Sequence, residues 1–267
     1  MIDIYLINVR TATERREFQE KQLKQLDLNY TLIEAVTTDD ISEDLYQKHY
    51  YDWQRPMRVT EVACYYSHRK VWKIIKQNKR PALILEDDVL LSKETPSILK
   101  KIEQIPLLNI ELIVLENRNR KKWVKKHKET IDDKNALVQL VQDRTGAAAY
   151  ILWPNGAQKI LEHAEKSGIS LADAHIFSCP SLKKYQLEPA AAVQLDCCSA
   201  YGIEKNTQQY GASISSVGAQ KKPPREPIFY FKRAIAQLWL GIQSIGFSFL
   251  YEKRKIAINR EDFTPRS

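Results

Sequence analysis

The run Pro81-Ala82-Leu83-Ile84-Leu85 stops abruptly on Glu86-Asp87-Asp88, and no other feature constrains the fold as tightly. A short apolar segment opened by proline reads as a strand buried on both faces. Strands of that kind belong to sheets covered by helices on either side, and such sheets bind ligands at the carboxyl ends of their strands. Alternation along the strand assigns Glu86 and Asp88 to one face and Asp87 to the other. Adjacent carboxylates repel one another unless a cation, a hydrogen-bond donor or water offsets them. Two readings therefore stand: a site for a hard divalent ion with oxygen ligands, and an acidic turn solvated at a strand end.

The flanking sequence alternates strand-like and helix-like segments, which predicts an α/β sandwich. Residues 4–9 and 30–36 read as strands around an exposed helix at 15–28, and 61–77 reads as a helix leading directly into the carboxylate strand. A helix at 97–105, a strand at 111–115, a strand at 146–153 and a helix that Pro154 opens complete the pattern. Between them lies a basic cluster, Arg118, Arg120, Lys121, Lys122, Lys125, Lys126 and Lys128, which reads as a solvated loop or helix face. Further basic residues gather at 221–233 and 253–260, and the formal net charge is +8. Such patches attract polyanions of any kind, nucleic acid, anionic headgroups and phosphorylated glycans alike. The four cysteines, Cys64, Cys179, Cys197 and Cys198, show no C-x-x-C spacing, so neither a disulfide framework nor a zinc module is expected. The chain opens as a strand without the pattern of an export signal, and a cytoplasmic location is the expectation.

Towards the C-terminus, Phe231, Ile235, Leu238, Ile242, Ile245 and Phe249 recur at helical spacing, and no charged residue lies between Arg233 and Glu252. The uncharged stretch is barely long enough to span a bilayer and contains Gln237, Gln243, Ser244 and Ser248. Two readings remain for it: an amphipathic helix on an anionic membrane surface, and a helix docked on the protein's own core or on a second subunit. The expected organisation is thus a core domain over residues 1–218 and a basic amphipathic tail over 219–267.

Several segments, taken in order, resemble glycosyltransferase family 25, the lipooligosaccharide galactosyltransferase-like proteins. They are Leu6-Ile7-Asn8-Val9-Arg10 followed by Glu14-Arg15-Arg16, then Glu34-Ala35-Val36, Thr60-Glu61-Val62-Ala63-Cys64-Tyr65-Tyr66-Ser67-His68 with Val71-Trp72, and Ala82 to Asp88. Thr145-Gly146, Tyr150-Ile151 and Gly156-Ala157 close the set, and the resemblance covers roughly residues 1–205.

The resemblance implies a GT-A-like Rossmann-type sandwich that binds a sugar nucleotide across the carboxyl edge of its sheet. Asp88 would contact Mn²⁺, with Mg²⁺ as an alternative, and Glu86 would hold metal-bound water or the donor ribose. His175 would complete the metal shell, unless it is a loop histidine without a ligand role. Asn8, Arg10, Ala35, Val36, Thr37, Glu61, Glu86, Asp87, Thr145 and Gly146 would form the donor site. For Arg10 the alternative is a surface pair with Glu14; for Glu61, Ser67 and His68 it is capping and packing of their helix, with Thr60 as cap. Inverting transfer needs one base for the acceptor hydroxyl, and Asp173, in Leu171-Ala172-Asp173, is the residue the resemblance suggests.

The function so implied is transfer of a hexose, galactose from UDP-galactose, to a lipid-linked glycan at the inner membrane face. Nucleic acid is not an expected partner. Two other readings stay open at this stage. One is a nucleic-acid- or membrane-binding module on a degenerate transferase core, and the other is a metal-dependent phosphoryl hydrolase.

Overall fold

A computed structural model describes residues 1–105, 110–143, 146–203 and 226–263, the side chains of residues 239, 240 and 242–250 excepted. The expected α/β sandwich is what the chain forms. β1 (Asp3–Asn8), β2 (Thr31–Glu34) and β3 (Ala82–Glu86) run parallel, and β8 (Ala149–Leu152) lies antiparallel between β3 and β5 (Leu112–Val114). β9 (Lys184–Glu188) pairs parallel with β5, and β7 (Ala136–Gln142), β6 (Lys122–Thr130) and β11 (Tyr251–Arg254) extend that side, giving one nine-stranded sheet. β4 (Val89–Leu91) and β10 (Ala192–Gln194) form a separate antiparallel pair beside it.

Alternation along β3 distributes its side chains between two cores. Ala82 and Ile84 pack beneath α3 (Val59–Asn78), α5 (Pro154–Ser167) and α6 (Ala172–Ser178), against Trp72, Ile75, Ile160 and Ile176. Leu83 and Leu85 pack on the other face against Leu23 of α1 (Thr13–Gln25) and Ile98, Leu99 and Ile102 of α4 (Thr95–Gln104). Ala82, Leu83, Ile84 and Leu85 are all fully buried. Each of the three larger residues is worth about 1.5–3 kcal/mol in removed apolar surface. The same alternation delivers Glu86 to the α3 face and Asp87 to the α1 face.

Two expectations are corrected here. From Lys122 onward the basic cluster is the strand β6, paired with β7, whereas Arg118, Arg120 and Lys121 lie in the loop ahead of it and Lys125, Lys126 and Lys128 are exposed. Lys122 is buried, its Nζ 2.6 Å from the Asp143 carboxylate and 2.7 Å from Gln186 Oε1, while Lys128 reaches Glu188 at 2.9 Å. Opposite charges on neighbouring strands absorb part of the basic run into the sheet.

The end of the expected tail also returns to the core. β11 pairs with β6, Ile258 bridges to Ala190, and Phe263 packs among Val193, Leu195 and Tyr201. What remains of the tail is α7 (Pro227–Leu250), preceded by residues outside the described set. Phe229 anchors its start, stacked on Tyr51 at 5.6 Å, and Ile228, Tyr230, Phe231, Ile235 and Leu238 stay exposed. The remaining stripe positions, Ile242, Ile245 and Phe249, have side chains outside the described set. No helix among the described residues is long and apolar enough to cross a membrane.

Candidate active site at the carboxyl edge of the sheet

The three carboxylates that end β3 have three different environments. Asp87 turns towards α1, as alternation requires, and is buried there. Arg15 Nη1 donates to its Oδ1 at 3.0 Å and Asn8 Nδ2 to its Oδ2 at 2.8 Å, while Gln19 Nε2 donates to the carbonyl oxygens of Asp87 and Val89. Burial raises its pKa even so, with Arg15 only partly offsetting the cost of desolvation. The expected donor-site roles of Asp87 and of the Asn8 side chain do not hold. Both are consumed in a clamp that ties α1 to the strand end, and the second Asn8 contact goes to the Ala12 carbonyl at 3.2 Å.

Glu86 emerges on the opposite face against α3. His68 Nε2 lies 2.9 Å from Glu86 Oε1, His68 Nδ1 lies 3.0 Å from the Tyr150 hydroxyl, and Trp72 Nε1 donates to that hydroxyl at 2.8 Å. The chain of donors fixes the tautomer. A carboxylate can only accept, so Nε2–H donates to Glu86; in the neutral imidazole Nδ1 then takes the Tyr150 proton, with Trp72 donating to the Tyr150 oxygen. His68 is therefore both packed and functional in placement: it orients the carboxylate that ends the strand.

Asp88 has the least compensation of the three. Gln194 Nε2 approaches its two oxygens at only 3.3 and 3.4 Å. Burial, with Glu86 and Asp87 adjoining, pushes its pKa up to about 7. A second carboxyl, absent from the sequence-based expectations, adds to the deficit. Glu116 follows β5, is fully buried, and accepts the Ala148 amide at 2.9 Å through Oε1; its Oε2 has no hydrogen-bond partner among the described residues. Burial is the chief reason that its pKa stands near 8, with the charge of Glu86 adding to the rise. Gly146, at φ +107°, leaves the space that Glu116 occupies, since a Cβ there would collide with Oε1. Its place in the site is to admit that carboxyl. Thr145 lies outside the described residues.

Asp173 sits in the first turn of α6, its Oδ1 accepting the Ala174 amide at 2.6 Å. Burial raises its pKa, and the Glu86 charge adds to the rise, which places the two carboxyls within electrostatic reach of one another. The loop ahead of it is braced from the far side: Asp52 Oδ2 accepts the Ile169 amide at 2.8 Å, and His49 links Asp52 to Tyr66 on α3.

His175 does not join this cluster. One helical half-turn past Asp173, its side chain enters the core between α3 and α5, stacked on Trp72, edge-on to Tyr65, with Nε2 on the Ile160 carbonyl at 3.2 Å. Burial lowers its pKa to about 4, and with Nε2 on the Ile160 carbonyl inside the core the ring packs away from the carboxylates instead of completing a metal shell with them.

Several expected donor residues are structural as well. Glu61 is the N3 residue of α3: it accepts from Arg55 through both oxygens at 2.8 Å and bonds back to the amide of Arg58, the actual N-cap in place of Thr60. Ser67 Oγ accepts the Val36 amide and donates to Ala63. Arg10 is exposed and pairs with Glu34 at 2.8 Å, not with Glu14. Ala35 and Val36, which follow β2, line a cavity of about 330 Å³ with Glu34, Ile41, Tyr66 and Lys70, and the Thr37 amide beside it donates to Asp40 Oδ2.

Among the described residues, Arg15 is committed to Asp87, and Arg118 to Asp196 at 2.7 Å and to Gln194. Neither forms an ion pair with Asp88 or Glu86, although both act on Asp88 from a distance. Glu86, Asp88 and Glu116 are oxygen ligands of the type a hard divalent cation takes, although among the described residues they are not drawn together as a ready-made site.

A family model described as Glycosyltransferase family 25 (LPS biosynthesis protein) matches residues 1–176. The chain is 22% identical over 204 residues to the lipooligosaccharide biosynthesis protein lic2B of Haemophilus influenzae, an alignment covering 71% of this chain and 75% of that protein. It is 26% identical over 183 residues to procollagen galactosyltransferase 1-B of Xenopus laevis, covering 62% of this chain but only 29% of that longer protein. Among solved structures, the inositol-1-phosphate CTP transferase from T. maritima aligns with 79% of this chain and 94% of its own at a TM-score of 0.43 and 11% identity.

Proposed function

The chain belongs to glycosyltransferase family 25, and from that premise we propose that it is a divalent-metal-dependent, inverting transferase of galactose from UDP-galactose to a lipooligosaccharide or lipopolysaccharide glycan. The observation that carries the metal dependence is Asp88, a carboxylate at the carboxyl edge that forms no ion pair with a cation among the described residues. Asp88 and Glu86 would hold Mn²⁺, or Mg²⁺ in its place, and that ion supplies Lewis acidity towards the departing diphosphate.

The rest is done by the chain's own groups. His68 holds Glu86 in one orientation, Asp87 and Arg15 fix the strand end from behind, and the backbone at Ala35 and Val36 receives the base. Asp173 takes the proton of the acceptor hydroxyl as its oxygen bonds to the anomeric carbon. The bond from that carbon to the diphosphate breaks, and UDP leaves with the electron pair. The name of the procollagen galactosyltransferase supports galactose as the sugar, and that of the lipooligosaccharide biosynthesis protein lic2B supports a lipid-linked glycan as acceptor.

Location is the second part of the proposal. The exposed face of α7, with Ile228, Phe231, Ile235 and Leu238 at helical spacing and Arg233 beside them, suits a cytoplasmic anionic membrane surface where a lipid-linked acceptor is presented.

The test is donor turnover across a panel of UDP-sugars with and without Mn²⁺. Preferential, Mn²⁺-dependent turnover of UDP-galactose is expected. Equal turnover in chelator, or preference for another sugar, overturns the metal or the donor assignment respectively.

A further inference from the structure

Cys64 stands four residues before His68 on α3, so both side chains leave the helix on the same side. Cys64 Sγ, a ring nitrogen of His68 and a carboxylate oxygen of Glu86 all lie within 4.8 Å of one another. Nothing in the transfer chemistry uses a thiol. We infer that these three side chains form a site for a thiophilic divalent cation, zinc foremost, and that its occupation takes Glu86 away from the donor site and holds the transferase inactive.

The ligand set carries the choice of ion. Thiolate with imidazole and carboxylate favours zinc, whereas manganese and magnesium prefer the all-oxygen group formed with Asp88. Zinc–ligand bonds of about 2.0–2.3 Å place tetrahedral ligands roughly 3.3–3.8 Å apart, so closing the site needs His68 Nε2 and Glu86 Oε1, now hydrogen-bonded at 2.9 Å, to part by a few tenths of an ångström while Cys64 Sγ draws in by up to about 1 Å.

The surroundings favour the same outcome. The Tyr150–Trp72 pair holds the His68 ring from its far nitrogen, which is how metal-bound imidazoles are oriented. Burial first, and then the charges of Glu86, Asp173 and Asp88, keep the Cys64 thiol protonated until a cation arrives, while the same negative charges attract a dication. Cys64 is only partly buried, leaving a route in, with a fourth position for water. On binding, Cys64 releases one proton to solvent. The His68 ring proton moves from Nε2 to Nδ1, and Tyr150 Oη turns from donor to acceptor.

The inhibitory consequence rests on the proposed transfer reaction, whereas the site itself does not. Co²⁺ added to the metal-free full chain is the probe for the site. The parent protein should develop a thiolate-to-cobalt charge-transfer absorption that one equivalent of Zn²⁺ removes and that Cys64→Ser lacks. Absence of that band in the folded parent, or its persistence in Cys64→Ser, overturns the site, whatever the reaction proves to be. For the consequence, Zn²⁺ is titrated against UDP-galactose turnover in excess Mn²⁺. Cys64→Ser should turn over donor as the parent does without zinc, and should need at least about tenfold more Zn²⁺ for half inhibition. Equal zinc sensitivity of the two proteins overturns the regulatory reading.

Discussion

Arg15→Met should destabilise the protein severely without touching the donor site, because the Arg15–Asp87 pair is buried on both sides, with side chains 9% and 10% exposed and Nη1 3.0 Å from Oδ1. Removing one member of such a pair leaves the other charge buried and uncompensated, a loss of about 3–5 kcal/mol. For a domain of this size, each kcal/mol lowers Tm by about 2–4 °C, so a drop on the order of 6–20 °C is expected. The raised pKa of Asp87 says that desolvation already outweighs pairing there. Replacing both charges, as Arg15→Met with Asp87→Leu, should therefore recover most of the loss. The residual deficit comes from Asn8 Nδ2, which keeps Ala12 O but loses its second partner, worth about 1 kcal/mol. The assay is thermal and urea denaturation of the four proteins of the cycle. Additive losses, or a silent Arg15→Met, would refute the buried clamp and return Asp87 to the list of donor ligands.

The carboxyls of Asp88, with a pKa near 7, and Glu116, near 8, are raised above their usual values near 4, so the folded state holds protons that the unfolded state has lost. Metal-free stability should accordingly fall as pH rises from about 4 to 8 and level off above, since the proton count is then equal again. Excess Mn²⁺ should flatten the slope, and Glu116→Gln should remove its share; a metal-free Tm that rises over this interval contradicts both assignments. Asp173→Asn should leave UDP affinity within about twofold while slowing transfer by at least 10²-fold, the minimum expected of a lost general base; loss of UDP binding with transfer retained would move Asp173 to the nucleotide site. Serines at Phe231, Ile235 and Leu238 together should release the protein from anionic liposomes at unchanged Tm, because these side chains are exposed; undiminished flotation would remove α7 from the membrane account.

The strand that ends on Glu86 was legible because a period of two in an all-apolar run needs no partner to interpret it. The split between Glu86 and Asp87 followed from the same period. What held each carboxylate was not legible. Arg15 and Asn8 reach Asp87 across 72 and 79 residues of sequence. Asn8 looked like a ligand only because it ends a strand at the right edge.

Glu116 was readable in principle: Leu112-Ile113-Val114-Leu115 running into Glu116-Asn117 has the shape of the first motif. Its partner Gly146, across β8, had been read as a donor contact instead. His175 went astray because its loop is a helix, and the turn after Asp173 points inward. The basic run hid β6, since lysines paired across strands carry no hydropathy signal. The tail was read as one unit because its apolar stripe dominates the last fifty or so residues, although β11 and Phe263 belong to the core.

The division of labour within Glu86-Asp87-Asp88 is the centre of this account, and Mn²⁺ binding in the presence of UDP, followed by the loss of the free-ion EPR signal, tests it directly. Asp88→Asn should lose UDP-dependent Mn²⁺ binding with a metal-free Tm no lower than the parent's, whereas Asp87→Asn, kept below its lowered Tm, should bind Mn²⁺ as the parent does. Binding that survives in Asp88→Asn and vanishes in folded Asp87→Asn would contradict it.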